Sequence, residues 1–530
     1  MMAERELRIK GAAEKLAEKG RILVKEGGRQ IAVFQGEKGI FACNNKCPHE
    51  GYPLSEGTLT EGCVLTCNWH NWKFDLESGE TMVGGDQVRT YPARLDGGDL
   101  LLDVSDPSPE QAIGKALDNL LDCFDDHEYD RMAREIARLV KAGGDPLDAL
   151  RRTIHWTHDR MEFGATHAYG AALDWLTLRD RYGADDEALA LIPVVEVVAH
   201  MAWDTRREKI YPYPVKLVDF TVDGFVRAVD AEDEETAIGM IRGGLACGMT
   251  HRDFEEALTR AALDHFLDFG HSLIYVYKTM GLIDRLGADV AEPLLLALVR
   301  SLIYGRREDL IPEFRAYAPA LQSWGQATWD DEPVVWDELT GRSVAKVLER
   351  MQASSSNTAA LFDAALGALA WNMLHFDEAH QFHTDRNVAA NQSFLSFTHG
   401  LTFANAVHVQ CSRFPELWPQ GLLQMGCFIG RNAGFVDKGY VADRWYLSDP
   451  RAFFAEVEHG FFDHAQFEYI VACHLVKTTA AIREEYEASP DGPAAQMLLA
   501  AGNRFLNATL KRKHVLRTAR QALSFVANEG

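Results

Sequence analysis

Two kinds of hydrophobic patterning divide the chain. Up to residue 104 the apolar positions come in short runs, at 20–25, 30–34, 39–42, 63–66 and 100–104, separated by turns that contain glycine. Runs of that length between turn residues predict strands, and several in succession predict an all-β domain. Beyond residue 110 the apolar residues recur at helical spacing over 144–180, 185–204, 250–280, 357–412 and 462–487, which predicts long helices. Residues 105–110 between the two regions read as a linker. Its end carries a helix start, with Ser108 at the N-cap and Pro109 at the first helical position. The expectation is a multidomain chain: an N-terminal all-β domain at 1–104, a linker at 105–110, and a large all-α domain at 111–530.

Composition narrows the partners. The 530 residues hold 54 Lys and Arg against 78 Asp and Glu, a formal charge of −24. Such a chain lacks the basic footprint that nucleic acid or anionic lipid requires. No run of about 18 apolar residues is free of charge, so no membrane span is expected. The first thirty residues are charged and lack the apolar segment of a secretory signal. The nine cysteines are therefore expected to be reduced thiols in the cytoplasm, where close pairs read as metal ligands.

One such pairing is strong. Cys47 and His49 flank a proline, and Cys67 and His70 follow in a Cys-x-x-His pair after 17 residues. Two thiolates and two imidazoles in this arrangement suit a [2Fe–2S] cluster with unequal irons, the thiolates on one and the neutral imidazoles on the other. Gly51, Pro53, Gly57 and Gly62 supply bends to the loops, and Trp69, Trp72 and Phe74 supply a dry cover. Over about 100 residues this region resembles the Rieske ferredoxin domain, of the soluble ferredoxin or oxygenase type. The rival reading is a zinc ribbon that uses the same two cysteines and two histidines. Cys43 and Cys63 fall outside the motif and read as buried thiols.

A one-electron carrier joined to a large helical body implies an electron acceptor in that body. Seventeen histidines remain outside the cluster motif, most of them within apolar helical stretches. A lone histidine there is ordinarily a hydrogen-bonded core residue, but a metal satisfies several at once. His474 and Lys477 share a helix face. His265 and His271 diverge unless Gly270 breaks their helix. Four segments, around His167, from His265 to His271, around His399 with Thr402, and His474 to Lys477, resemble the questin oxidase-like family in the same order along the chain. That resemblance spans about 150–490 and implies a helical oxygenase acting on anthraquinones and related polyketides. By carry-over, His167, His271, His399 and His474 are the first choice for a non-haem iron site, with His158 and His265 in reserve. Lys477 reads as a snorkelling or ion-paired lysine, as a group acting on oxygen at the iron, or as a carbamylated ligand.

Two other metal readings compete. Asn372, His375 and His380 carry the spacing of the mononuclear iron segment of Rieske ring-hydroxylating oxygenases, which makes His375 and His380 further reserves. A diiron carboxylate centre would call on Asp268 and Asp377, each three residues before a histidine. No dinucleotide-binding or P-loop motif is present, so no internal flavin or NAD fold is expected. NAD(P)H electrons would enter through a separate reductase or ferredoxin. The chain is thus expected to be an O2-dependent oxygenase of an organic, aromatic or polyketide-like substrate, with a homo-oligomer as one way to bring cluster and iron together. Aromatic residues near the histidines, Phe163, Tyr169, Trp175, Tyr275, Phe397 and Phe403 among them, are candidates for its pocket. The alternative from another class is a Rieske electron carrier or redox sensor with a non-catalytic helical docking module.

Overall fold

In a computed structural model, which describes residues 5–60, 62–326, 333–510, 514–527 and 529, the chain divides into two compact units, Met1–Asp145 and Pro146–Gly530. The first is built on β-sheet and the second is helical.

Eleven short strands form three antiparallel sheets among the described residues of the first unit. They are β1 (Glu6–Ile9), β2 (Arg21–Glu26), β3 (Arg29–Gly36), β4 (Gly39–Asn44), β5 (Thr58–Thr60), β6 (Val64–Thr66), β7 (Lys73–Asp75), β8 (Thr81–Val83), β9 (Thr90–Tyr91), β10 (Ala93–Asp96) and β11 (Asp99–Asp103). The orders are β1-β11-β10, β2-β3-β4-β9 and β5-β6-β7-β8. Alternation along β3 and β4 sends side chains to two cores. Val33 and Ala42 join Leu100 and Leu102 of β11, while Ala32, Phe34 and Cys43 join Leu65, Phe74 and the two motif cysteines. The five strands predicted from runs are all present. The remaining strands, only two to four residues long, gave no run to read.

The helix after Ser105 starts as its sequence indicates. In α2 (Pro109–Asp122), which follows the short α1 (Ala12–Lys19), Ser108 and Gln111 form a capping box. The Ser108 hydroxyl accepts from the Gln111 amide at 3.2 Å and the Gln111 side chain accepts from the Ser108 amide at 3.2 Å. The domain boundary lies elsewhere than expected. Both α2 and α3 (Tyr129–Lys141) belong to the β unit, not to the helical body beginning at 111. The cause is ionic. Asp86 of the β domain has a fully buried carboxylate that takes Arg138 of α3 in a bidentate pair at 3.0 and 2.9 Å and lies 3.0 Å from the Arg134 Nε.

In the second unit four helices define the site: α4 (His167–Tyr182), α5 (His271–Leu286), α6 (Leu395–Arg413) and α7 (Tyr469–Ala488). Each packs on the next, and α7 returns to α4, which closes a ring. The 185–204 stretch is one helix, Glu187–Asp204, but others predicted as long helices are broken. The 144–180 stretch is interrupted between Leu147–Thr157 and α4, and 250–280 between His251–Asp264 and α5. The second break is a run of three left-handed residues, Asp268, Phe269 and Gly270, with φ of 44, 50 and 78°. Glycine is required at the last of them, where a Cβ would lie 2.6 Å from the Phe403 ring. Two non-glycine residues held there cost about 1–2 kcal/mol each and persist because their surroundings fix them. The Asp268 amide donates to Arg306 O at 2.8 Å, and the Phe269 amide donates to the Glu308 carboxylate at 3.1 Å. Among the described residues no helix is long and apolar enough to cross a membrane.

Candidate metal centres

The first centre lies on two loops of the β unit, β4–β5 and β6–β7. The loops close by the same pair of backbone bonds. The Cys47 amide donates to Tyr52 O and Gly51 N donates to Cys47 O, both at 2.8 Å; the Cys67 amide donates to Trp72 O at 2.8 Å and Asn71 N donates to Cys67 O at 2.9 Å. Gly51 and Asn71, at equivalent positions, are both left-handed. This common geometry buries Cys47 and Cys67 within hydrogen-bonding reach of one another, and burial pushes the Cys47 thiol up to about 11. It also sets His49 and His70 edge to face with centroids 4.5 Å apart. Trp72 stacks on His49 at 4.7 Å and Tyr52 on Trp69 at 4.1 Å. His49 Nδ1 is buried without a hydrogen-bond partner, and His70 is exposed. Two adjacent buried thiols, with two imidazoles meeting above them and an orphaned ring nitrogen, fit a [2Fe–2S] cluster with one iron held by cysteines and the other by histidines. Cys43 and Cys63 are both buried.

The second centre joins one histidine from each of the four ring helices. His167 and His271 open α4 and α5, while His399 and His474 sit within α6 and α7. Their Nε2 atoms follow the ring: His167 to His271 3.2 Å, His271 to His399 3.0 Å, and His399 to His474 3.3 Å. Three of the rings are fixed from behind. Nδ1 of His271 meets Asp268 O at 2.5 Å, Nδ1 of His399 meets Leu395 O at 2.6 Å, and Nδ1 of His474 meets Ile470 O at 2.6 Å. A carbonyl only accepts, so each of these Nδ1 atoms carries the proton and each Nε2 presents a lone pair inward. The left-handed run before α5 is what turns the Asp268 carbonyl toward His271. His167 Nδ1 meets the Tyr275 hydroxyl at 3.3 Å.

Lone pairs about 3 Å apart repel unless a cation stands among them. Protonation is no remedy here. Burial, together with the charge of Lys477 and of the neighbouring imidazoles, holds His167, His399 and His474 well below the ordinary histidine range. Burial, Lys477 and His474 bring His271 down to about 3. Neutral imidazoles with Nε2 free are the form that binds metal. Ligands about 2.0–2.1 Å from one ion lie roughly 3.0–3.4 Å from each other, which matches the three successive separations, and the nitrogens of His167, His399 and His474 all lie within 4.8 Å of one another. Lys477 Nζ is buried with no hydrogen-bond partner, and burial depresses its pKa. Of the three readings of Lys477, the ion-paired one does not hold for Nζ, and snorkelling fails because the side chain does not reach solvent.

A cavity of about 610 Å3 lies beside this centre, lined by Thr166, Asp268, Ser272 and Tyr275, which neighbour His167 and His271 in sequence or by hydrogen bond. Its wall mixes Phe163 and Tyr304, edge to face at 5.8 Å, with Arg160, Glu162 and Arg306. Of the aromatic residues expected at the pocket, Phe163 and Tyr275 line it. Tyr169, Trp175, Phe397 and Phe403 are buried, and Tyr169 bonds to Thr157 at 2.8 Å.

The reserve ligands lie outside this cluster, three of them with hydrogen-bonded rings and His380 with a buried Nδ1 that has no hydrogen-bond partner. His158 bonds to His155 O and stacks on Tyr213. His265 pairs with Asp230 at 2.8 Å and Asp309 at 3.3 Å. His375 bonds to Trp371 O and stacks on the same indole, and His380 packs against Phe435. The diiron carboxylates have other work too. Asp268 lies 3.1 Å from Arg306 and 3.5 Å from the outer nitrogen of His271, and Asp377 caps the Ala379 amide. Sequence reasoning did not foresee the Thr166–Asp204 bond at 2.6 Å beside His167, nor Arg134 at the cluster loop. Residues 38 and 86 positions apart leave no local signal.

Comparison with known proteins bears on the first centre. The Rieske [2Fe–2S] domain family matches residues 9–92. The 4beta-methylsterol monooxygenase of Methylococcus capsulatus is 35% identical over 97 residues, 16% of this chain and 26% of that protein, so the chain spans about a quarter of that relative's length. The biphenyl dioxygenase ferredoxin subunit of Pseudomonas sp. strain KKS102 is 31% identical over 84 residues, 16% of this chain and 77% of the ferredoxin. Among solved structures, the ferredoxin of carbazole 1,9a-dioxygenase from Nocardioides aromaticivorans is 22% identical, covering 18% of this chain and 96% of that one with a TM-score of 0.17. The family match lies in the β unit, and the Cys47, His49, Cys67 and His70 constellation falls inside the matched residues. Through its residues 9–92 the chain belongs to the Rieske [2Fe–2S] family.

Proposed function

We propose that the protein is a non-haem iron oxygenase in which the Rieske domain is the entry for electrons and the helical unit, a questin oxidase-like domain, is the site of oxidation. The observation that carries this reading is the chain of four histidine Nε2 atoms spaced 3.0–3.3 Å from one to the next, three of the rings with Nδ1 already committed to a carbonyl. When bound, a [2Fe–2S] cluster exchanges single electrons, and a non-haem iron with an open position takes dioxygen.

The residues divide the work. Cys47 and Cys67 would hold one iron of the cluster, with His49 and His70 on the other. His167, His271, His399 and His474 would hold the catalytic iron. The carbonyls of Asp268, Leu395 and Ile470 keep the proton on the outer nitrogen of three of these rings and fix their orientation, the role outer-shell partners play in metal sites. The Tyr275 hydroxyl, which can donate or accept, orients the His167 ring. Lys477 is buried and burial depresses its pKa; its amine can act on oxygen at the site, or in its neutral form combine with carbon dioxide with loss of a proton to give a carbamate ligand. The cavity admits an organic substrate, and its mixture of aromatic and polar groups suits an oxygenated aromatic or polyketide-like ring. A separate reductase or ferredoxin supplies NAD(P)H electrons.

The test is iron per chain after anaerobic purification with the cluster loaded. About three irons in the wild type and about two in His399→Ala, with the cluster spectrum unchanged, supports the reading. About two in both leaves an electron carrier or sensor in its place.

A further inference from the structure

The α2–α3 hairpin lies beyond residue 92, where the family match ends, yet it is part of the β unit. Two arms run from α3 to the same cluster residue, His49. The direct arm is Arg134, whose Nη1 donates to the carbonyl of Pro48, the residue between Cys47 and His49, at 2.8 Å. The indirect arm runs through Asp86. Its buried carboxylate is gripped by Arg138 and Arg134 and accepts the Gln87 amide at 2.8 Å. Two residues earlier, Gly84 stands against the Trp72 ring at φ 133°, where a Cβ would lie 2.4 Å from the indole. Trp72 in turn stacks on His49 at 4.7 Å. The Pro48 peptide and the Trp72 indole thus bear on His49 from two directions, and both are tied to one helix.

We propose that α3 is a working part of the electron-transfer centre and that Arg134 is a positioning residue which sets the reduction potential of the cluster. Two physical effects act together. The hydrogen bond fixes the Pro48 peptide and with it the approach of His49. The guanidinium also places a permanent positive charge beside the histidine-bound side of the cluster, and added positive charge stabilises the reduced form. Net charge, hydrogen bonding and exposure are the levers by which a protein tunes an iron–sulfur potential. Arg134 is itself only partly exposed, with 36% of its side-chain surface accessible, so solvent screens its charge less than that of a free surface arginine. A hairpin added after the domain would in this way match a general carrier to one particular acceptor.

The experiment uses the full chain with its cluster loaded, followed by spectroscopic redox titration. Arg134→Ala should keep the cluster absorption and iron content of the β unit while its midpoint potential falls. Arg134→Lys, which retains the cation, should recover part of the loss. A fully loaded Arg134→Ala protein with the wild-type potential overturns the proposal, because a purely structural contact would leave the potential where it was. If Arg134→Ala does not retain the cluster, Arg134→Gln keeps a donor of similar length without the charge. A lowered potential in that variant supports the proposal, and an unchanged one overturns it. Neither result depends on the metal content of the helical unit, so the outcome is separate from the oxygenase reading.

Discussion

The β unit and the helical unit each gather candidate ligands around a point, but by opposite means. In the β unit two loops carry two ligands apiece within three or four residues, and the same pair of backbone bonds shapes both loops. In the helical unit each ligand stands alone on its helix, and His167 and His474 are separated by 307 positions in sequence. A loop site is local chemistry that a fold has to support. A helix-ring site is a property of packing, and the ligands meet only if four helices close the ring. The loop site therefore reads directly from sequence, whereas the ring site needs the fold.

The sharpest way to separate the two is to remove one while watching the other. Cys67→Ala should abolish the cluster absorption entirely and leave the iron of the helical unit in place, as measured by metal analysis and optical spectra together. Loss of both metals would mean that the two centres do not load independently. The converse, His399→Ala, should lower O2 consumption by more than the roughly 10–100-fold that loss of an outer-shell partner costs. Cluster reduction by dithionite should be unaffected.

Acid distinguishes the centres next. Unfolded imidazoles protonate near 6.5, at about 1.4 kcal/mol per pH unit each. The four ring histidines stay neutral far below that, His271 down to about 3. As the pH falls from about 6.5, the unfolded chain binds protons that the native chain refuses, so stability present above 6.5 is lost on the way down to 3. The melting temperature of the metal-free protein should fall through that window. In His271→Gln the fall should be shallower, and an identical slope would count against a neutral His271.

Smaller effects refine the contrast. Tyr275→Phe removes the hydroxyl behind His167 and should weaken iron binding about tenfold, measured by competition with a chelator, without disturbing the cluster. Ser108→Ala removes the α2 cap and should cost about 1 kcal/mol in a denaturant titration of the β unit. It should leave the helical metal untouched.

How much could be read in advance follows the same division. Cys47, His49, Cys67 and His70 were legible because ligand spacing is a local quantity. The five strands built on apolar runs were legible too. Strands such as Thr90–Tyr91 were not, since two residues carry no period. The four ring histidines came through the family resemblance, and hydrophobic spacing alone would not have chosen them from the seventeen. Gly270 was legible as a break, but not that Asp268 and Phe269 would share its left-handed conformation, which Arg306 and Glu308 impose from 38 and 39 residues away. The place of α2 and α3 was misjudged because the Asp86–Arg138 pair spans 52 residues, and a Ser-Pro helix start looks the same whether it opens a new domain or completes an old one.

The all-histidine make-up of the ring also bears on which metal the protein would carry. An all-imidazole pocket offers nitrogen and no fixed negative charge, and for such donors divalent affinity rises from manganese through iron to copper, with zinc above iron. The pocket does not select iron by its chemistry. The identity of its ion would follow supply, so protein made in zinc-rich medium would carry a redox-inert ion in a correctly folded centre. That ion, held more tightly, would stabilise the fold at least as well as the one that works.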